Sequence, residues 1–310
     1  MHDKPLLPSG LHDRLPPEAA RCFSLTHTLV NSFMDSGYQL VMPPLMEFEE
    51  SLLTGKDDSV ANRSFRVMDP DSQRMLALRA DMTGQVARIA SGALADEPRP
   101  LKLCYSGNTV RVAPEGLHKR RQYTQAGIEL FGAKDVQDDA TIIADAAATL
   151  QKAGMKQLSV DINLPCMVEH LLHSLPEDVR EHVTQAVRAK DVAAVNNAGA
   201  TVIAGILASA GPADKALAAL RELAIDKDDL PQIDYLAALV DELAKRAPNV
   251  PVSIDVLEIR GFSYYSGISF SLFSTEHGVE LGRGGRYTTA LGEEATGFTL
   301  YIDDVVKLVA

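Results

Sequence analysis

Glu258-Ile-Arg-Gly-Phe-Ser-Tyr-Tyr-Ser-Gly-Ile-Ser-Phe270, Leu281-Gly-Arg-Gly-Gly-Arg-Tyr287 and Gly297-Phe-Thr-Leu-Tyr-Ile-Asp-Asp-Val305 lie near the C-terminal end of the chain, and their pattern decides the fold. Ile268 to Phe273 and Val279 to Leu281 alternate or cluster apolar residues as strands of an antiparallel meander do, and Val252-Ser-Ile-Asp-Val-Leu257 has the same character. Gly282-Arg-Gly-Gly-Arg-Tyr287 lacks the lysine and hydroxyl of a P-loop and the strand-to-helix setting of a dinucleotide fingerprint. Spacing alone favours a glycine-rich bend between strands. The alternative is that the glycines let the backbone approach a ligand while Tyr287 lines a pocket.

Working outward, a first helix is expected with Ala19, Phe23, Val30 and Phe33 on its apolar face and Gly37 at its end. Val41-Met-Pro-Pro-Leu-Met46 reads as extended, because each proline biases its predecessor out of the helical region. Leu76-Ala-Leu-Arg79 and Leu101-Lys-Leu-Cys-Tyr-Ser106 read as strands around a helix from Asp81 to Ile89, and Asp139 is expected to cap a helix running to Gly154. Residues 176–248 differ in kind. Pro176, Pro212 and Pro231 mark helix starts, and Val192 to Ala210, Ala213 to Ala224 and Tyr235 to Arg246 are Ala-, Leu- and Val-rich. Regular βαβ repeats are missing, which excludes a doubly wound sheet. The expected class is α+β: a discontinuous core of residues 1–169 and 251–310, with a largely antiparallel sheet flanked by helices, and an all-helical insertion at 170–250.

The chain has 310 residues, 46% of them hydrophobic, enough for one large core or two modest ones. Its net charge of −12 offers no excess of Lys and Arg to neutralise phosphates, so nucleic acid is not an expected partner. His118-Lys-Arg-Arg121 reads better as a solvated turn or a protein contact. Cys22, Cys104 and Cys166 lack the close spacing of metal or redox motifs, and His170 with His173 lacks further ligands, so no metal site is expected. The N-terminus shows no signal pattern and no window nears the ~18 apolar residues of a membrane span, which makes the cytoplasm the simplest expectation.

Several runs resemble the histidyl-tRNA synthetase family in register. Pro8-Ser-Gly-Leu-His-Asp-Arg-Leu-Pro16 is similar to its opening, and Val41-Met-Pro-Pro-Leu45 to the class II first motif at the dimer interface. Leu78-Arg-Ala-Asp-Met-Thr83 resembles the segment that receives the α-amino group. Tyr105-Ser-Gly-Asn-Thr-Val-Arg111 with Arg121-Gln-Tyr-Thr-Gln-Ala-Gly-Ile-Glu129 resembles the second motif, and Ile259-Arg-Gly-Phe-Ser-Tyr-Tyr265 the segment specific to the histidyl family. The class II synthetase fold is therefore implied.

The departures have a direction. Ala113 stands where the family carries a glutamate that helps hold the activated nucleotide, Asp304 where it carries an arginine for ATP, and Ser263 where an aspartate is expected. The resemblance to the family's core runs up to the end of the sequence at Ala310, and no anticodon-binding domain is expected. Nucleotide contacts are lost while amino-acid contacts persist, which resembles the regulatory subunits of ATP phosphoribosyltransferase. That resemblance implies a non-catalytic subunit without cofactor, needed by a short-form catalytic subunit in the first step of histidine biosynthesis and for feedback. It also implies a homodimer and L-histidine as effector. A divergent adenylate-forming enzyme and a sensor of uncharged tRNA are the alternatives. The implied pocket comprises Asp81 and Thr83 for the ammonium, Arg111 and Gln125 for the carboxylate, and Glu129, Arg260, Tyr264 and Tyr265 around the side chain, with Tyr287 in the lining. Taken singly, Arg111 and Glu129 could be an ion pair and Asp81 a helix cap.

Overall fold

The structure, a computed structural model, describes residues 6–52, 62–114, 120–223, 225–258 and 264–309. Helix α1 (Glu18–Asp35) leads into β1 (Gln39–Leu40), β2 (Met46–Phe48), α2 (Glu49–Leu52), β3 (Arg66–Met68), β4 (Met75–Leu78) and α3 (Thr83–Ser91). The long hairpin β5 (Leu101–Val110) and β6 (Gln122–Phe131) is followed by α4 (Val136–Lys152) and β7 (Leu158–Asn163). A helical stretch comes next: α5 (Pro165–His173), α6 (Glu177–Arg188), α7 (Val192–Asn197), α8 (Thr201–Ala208), the short β8 (Gly211–Pro212), α9 (Ala213–Glu222) and α10 (Leu230–Arg246). The chain then returns to strands in β9 (Val252–Ile254), β10 (Ser269–Ser274), β11 (Val279–Thr288) and β12 (Glu294–Tyr301), and α11 (Ile302–Leu308) follows.

Nine strands form one sheet in the order β1-β5-β6-β12-β11-β10-β7-β9-β8, antiparallel except for β1 with β5 and β7 with β9. This is the largely antiparallel sheet that the lack of βαβ repeats implied. A second sheet, β2-β4-β3, stands beside it.

Strand alternation sorts the core into two layers. Cys104, Ala126, Ile128, Leu130, Phe298 and Leu300 face back, into a hydrophobic cluster shared with α1, α4 and the helical stretch. Val183, Val195, Ile206, Leu220 and Leu239 of those helices belong to the same cluster. Leu101, Leu103, Tyr105, Phe131, Tyr287 and Ala295 face forward and pack with Met82, Val86 and Ala90. Among the described residues, no helix is long and apolar enough to cross a membrane.

Local readings needed correction in four places. On α1 the buried stripe is Cys22, Leu25, Leu29 and Phe33, while Phe23 is 78% exposed. One residue is a rotation of about 100° on a helix, so Phe23 and Val30 form an adjacent stripe. The 192–210 helix is two helices, broken where Gly199 takes φ +81°. Gly282 to Tyr287 is neither bend nor phosphate loop. It lies within β11, hydrogen-bonded on both sides, and a Cβ on Gly284 would sit 2.6 Å from Phe298 Cβ and 2.7 Å from Phe270 Cζ.

The fourth correction concerns α4. Its cap is Asp135, whose carboxylate accepts from the Gln137 and Asp138 amides in a capping box with Asp138. Asp139 instead points inward and is fully buried. It accepts from Arg286 Nε at 3.1 Å and from the Tyr235 hydroxyl at 2.5 Å, joining α4, β11 and α10. Burial raises its pKa, and Arg286 opposes that rise. Removing one member of a buried pair strands the other's charge, so Asp139→Ala should lower unfolding free energy by about 3–5 kcal/mol. Asp139→Ala combined with Arg286→Met should recover part of that loss. Urea titration of the two variants checks this; equal losses would show that the uncompensated guanidinium is not the cause.

Candidate functional site

Four neighbouring strands, about 4.8 Å apart, set out the front face of the sheet as rows that run across them. One row runs Arg283, Thr299, Gly127, Tyr105 across β11, β12, β6 and β5. The row on one side is Gly285, Gly297, Glu129, Leu103, and on the other Tyr301 of β12 stands beside Gln125 of β6 and Gly107 of β5. The glycines are the reason the rows hold a site. A Cβ on Gly127 would lie 2.6 Å from the Tyr105 ring, and one on Gly297 would lie 2.6 Å from the Glu129 carboxyl carbon. Both large polar groups occupy space that any other residue would fill.

Asp81, Thr83, Gln125, Glu129 and Tyr287, each expected in the pocket, are linked through Tyr105. Asp81 accepts from the Thr83 amide and from Gln125 Nε2, both at 2.9 Å. It therefore holds the start of α3 and also reaches the front face, where Gln125 meets it. The Tyr105 hydroxyl lies 3.4 Å from Thr83 Oγ1, 3.3 Å from Glu129 Oε1 and 2.7 Å from Thr299 Oγ1. Tyr287 donates to Glu129 Oε2 at 2.9 Å. Tyr264 stacks on Tyr287 with centroids 5.2 Å apart at 25°, and meets Tyr265 edge-on at the same distance. The buried Gln125 Oε1 has no partner among the described residues.

Arg111 is buried at the end of this face, donating to the Ala80 carbonyl at 3.2 Å with its guanidinium 5.1 Å from the Tyr123 ring centroid. Arg260 and Ser263 lie outside the described residues, as do His118 and Lys119. The rest of that basic cluster is structural rather than solvated: Arg120 pairs with Asp303 at 2.8 Å, and Arg121 donates to the carbonyls of Arg111 and Ser9. Asp303 also accepts from Arg14 and from the Thr124 amide, fixing α11 against the N-terminal loop. Asp304, where the nucleotide's arginine was expected, is buried and accepts from Lys307 at 2.8 Å. Ala113 is exposed. His170 faces Asp229 at 2.9 Å, a pairing that raises its pKa through hydrogen bonding.

Sequence reasoning missed Tyr105, Thr299, Tyr301 and Arg283. Period-two alternation on β12 could have found Thr299 and Tyr301 once Gly297 was placed, since the three share a face.

Glu129 sets the electrostatics. Burial pushes its carboxyl up to about 8; hydrogen bonds from Tyr287, Thr83 and Tyr105 oppose the rise and Asp81 reinforces it. Burial also raises the phenols of Tyr105 and Tyr287, Glu129 adding to the effect, so both remain hydrogen-bond donors at neutral pH. The sign for stability follows. The folded state keeps a proton that the unfolded chain releases near 4.5, so this contribution is complete below about 4.5 and is lost as pH rises to about 8. Glu129→Gln mimics the neutral form. The midpoint difference, variant minus wild type, should grow between those two values and stay level above them, at roughly 2 °C per kcal/mol. Thermal melts across pH test this; a pH-independent difference would return Glu129 to the ordinary carboxylate range.

Comparison with known proteins follows this geometry. The histidyl-tRNA synthetase family model matches residues 10–305. The ATP phosphoribosyltransferase regulatory subunit of Paramagnetospirillum magneticum is 43% identical over 309 residues, covering 98% of this chain and 82% of that protein. Among solved structures, an ATP phosphoribosyltransferase regulatory subunit/histidyl-tRNA synthetase from Bacillus halodurans superposes with TM-score 0.85 at 24% identity, covering 100% of this chain and 84% of the other. A chain of the ATP phosphoribosyl transferase (HisG:HisZ) complex from Thermotoga maritima gives 0.70 at 17% identity, covering 91% and 97%. At such identities the two structures speak for the fold alone, a class II synthetase-like core. With a relative this similar along nearly its whole length, the chain belongs to the family of ATP phosphoribosyltransferase regulatory subunits.

Proposed function

We infer that this chain acts as the non-catalytic, histidine-sensing subunit of an ATP phosphoribosyltransferase, assembling with a short-form catalytic subunit and with a second copy of itself. Residues 170–250 form an insertion into its discontinuous core. The observation that carries the reading is the imbalance of the front face. Asp81, the unpartnered Gln125 Oε1, Glu129 and several hydroxyls converge there, while the position that would meet a triphosphate is the buried Asp304. An amino acid bearing an imidazole fits that set. Its ammonium finds the Asp81 carboxylate and the Gln125 oxygen, and its ring finds Glu129 and the Tyr264–Tyr287 stack. A nucleotide meets a negative charge where adenylyl transfer needs a preorganised positive one.

The homodimer reading rests on the segment between β1 and β2. Arg79 Nη1 and Gln85 Nε2 donate to the Pro43 and Pro44 carbonyls, at 3.0 and 2.8 Å, and hold the segment rigid. Leu40, Met42, Leu45 and Met46 are left exposed beside it, Met42 by 82%. A twofold contact would bury this patch from both chains.

Four outcomes are expected. L-histidine should raise the wild-type melting midpoint by mass action, and Glu129→Ala should weaken its binding by roughly ten- to a hundredfold. The isolated chain should show no histidine-dependent ATP–pyrophosphate exchange; exchange abolished by Arg111→Ala would make it an adenylate-forming enzyme instead. In the reconstituted complex, Glu129→Ala should still activate the catalytic subunit yet resist histidine, because an effector acts only through differential affinity for two states. Equal feedback sensitivity would move the effector site off this chain. Met42→Glu, which would bury unpaired carboxylates at a dimer contact, should shift light scattering from dimer to monomer at micromolar concentration. An unchanged mass would discard that face as the interface.

A further inference from the structure

The amino-acid pocket needs a cation for the ligand's carboxylate, and the residue first expected to supply it is otherwise engaged. Arg111 sits buried, its Nε on the Ala80 carbonyl and its plane over Tyr123. Gln125, expected beside it, turns its amide nitrogen to Asp81 and presents only an acceptor, which suits an ammonium. Arg283 has the opposite character. It shares a row with Thr299, Gly127 and Tyr105 and therefore faces the site, and its side chain is 40% exposed. Glu280 fixes it through Nε at 2.8 Å, while its terminal Nη groups donate to nothing among the described residues. Tyr301 stands between the two arginines, its hydroxyl within electrostatic reach of Arg283, Arg111 and Asp81.

We propose that Arg283, assisted by the Tyr301 hydroxyl, receives the α-carboxylate of the bound amino acid, an assignment that rests on the histidine reading above. The spacing suits a zwitterion. Asp81 and the Gln125 oxygen hold its positive end, and the row containing Tyr301 and Gln125 adjoins the row containing Arg283, so both ends of one α-carbon are reached at once. A guanidinium whose Nε is already held offers its terminal edge to a carboxylate with little further loss of rotamer freedom. Tyr301 thus contributes an O–H beside the guanidinium. Arg283 would make the pocket select amino acids over the corresponding amines and amides.

The test compares L-histidine with L-histidinamide, which lacks the carboxylate, by calorimetric titration of the full chain. Wild type should bind L-histidine more tightly. Arg283→Ala should weaken L-histidine by roughly ten- to a hundredfold and leave L-histidinamide unchanged, so the preference collapses. Arg283→Lys should retain part of it. Arg283→Gln keeps the stem and a polar head, and it gives the same reading should the alanine variant fail to fold. If wild type binds L-histidine and the variants bind it equally well, or if both ligands weaken together, the assignment of Arg283 falls and the histidine reading stands. If wild type does not bind L-histidine, both fall.

Discussion

The site depends on burying a carboxyl group that, among the described residues, is held by hydroxyls rather than by a cation. Glu129 can occupy the middle of a nine-stranded sheet only because Gly297, directly across the ladder, has no side chain, and Tyr105 can reach it only because Gly127 has none. A carboxyl so placed keeps its proton at neutral pH, and the tyrosines around it keep theirs. The result is a cluster of donors and acceptors with little fixed charge, open to a ligand that brings its own.

The surrounding structure holds this cluster at fixed points. Asp81 ties it to the start of α3, Arg79 and Gln85 tie the neighbouring segment to the Pro43 and Pro44 carbonyls, and Asp303 gathers Arg14, Arg120 and the Thr124 amide at the start of α11. Behind the sheet, Asp139 and Arg286 join β11 to α4 and, through Tyr235, to α10. Arg286 and Tyr287 are consecutive and point to opposite faces, so one peptide separates the phenol that meets Glu129 from the link to the helical stretch.

Much of this was legible in the sequence where the signal is local. Alternation named the strands, and the runs around Asp81, Gln125 and Glu129 named residues that the fold brings together. What stayed hidden was set by distant partners. Asp135 and Asp139 look alike as helix caps, and only Arg286, 147 residues onward, decides that Asp139 turns inward. Gly282 to Tyr287 looks like a bend until β10 and β12 flank it, because glycines beside large neighbours and glycines in turns have the same composition. Arg283 drew no attention for the same reason: strand register, which places it opposite Thr299, is a property of pairs.

The charge reversal at Asp304 also has an evolutionary side. Asp304 is buried and holds Lys307 one turn along α11. An arginine at that position would set two like charges together. The two positions are therefore coupled: a change of sign at 304 favours a matching change at 307, so the pair is expected to drift together rather than singly.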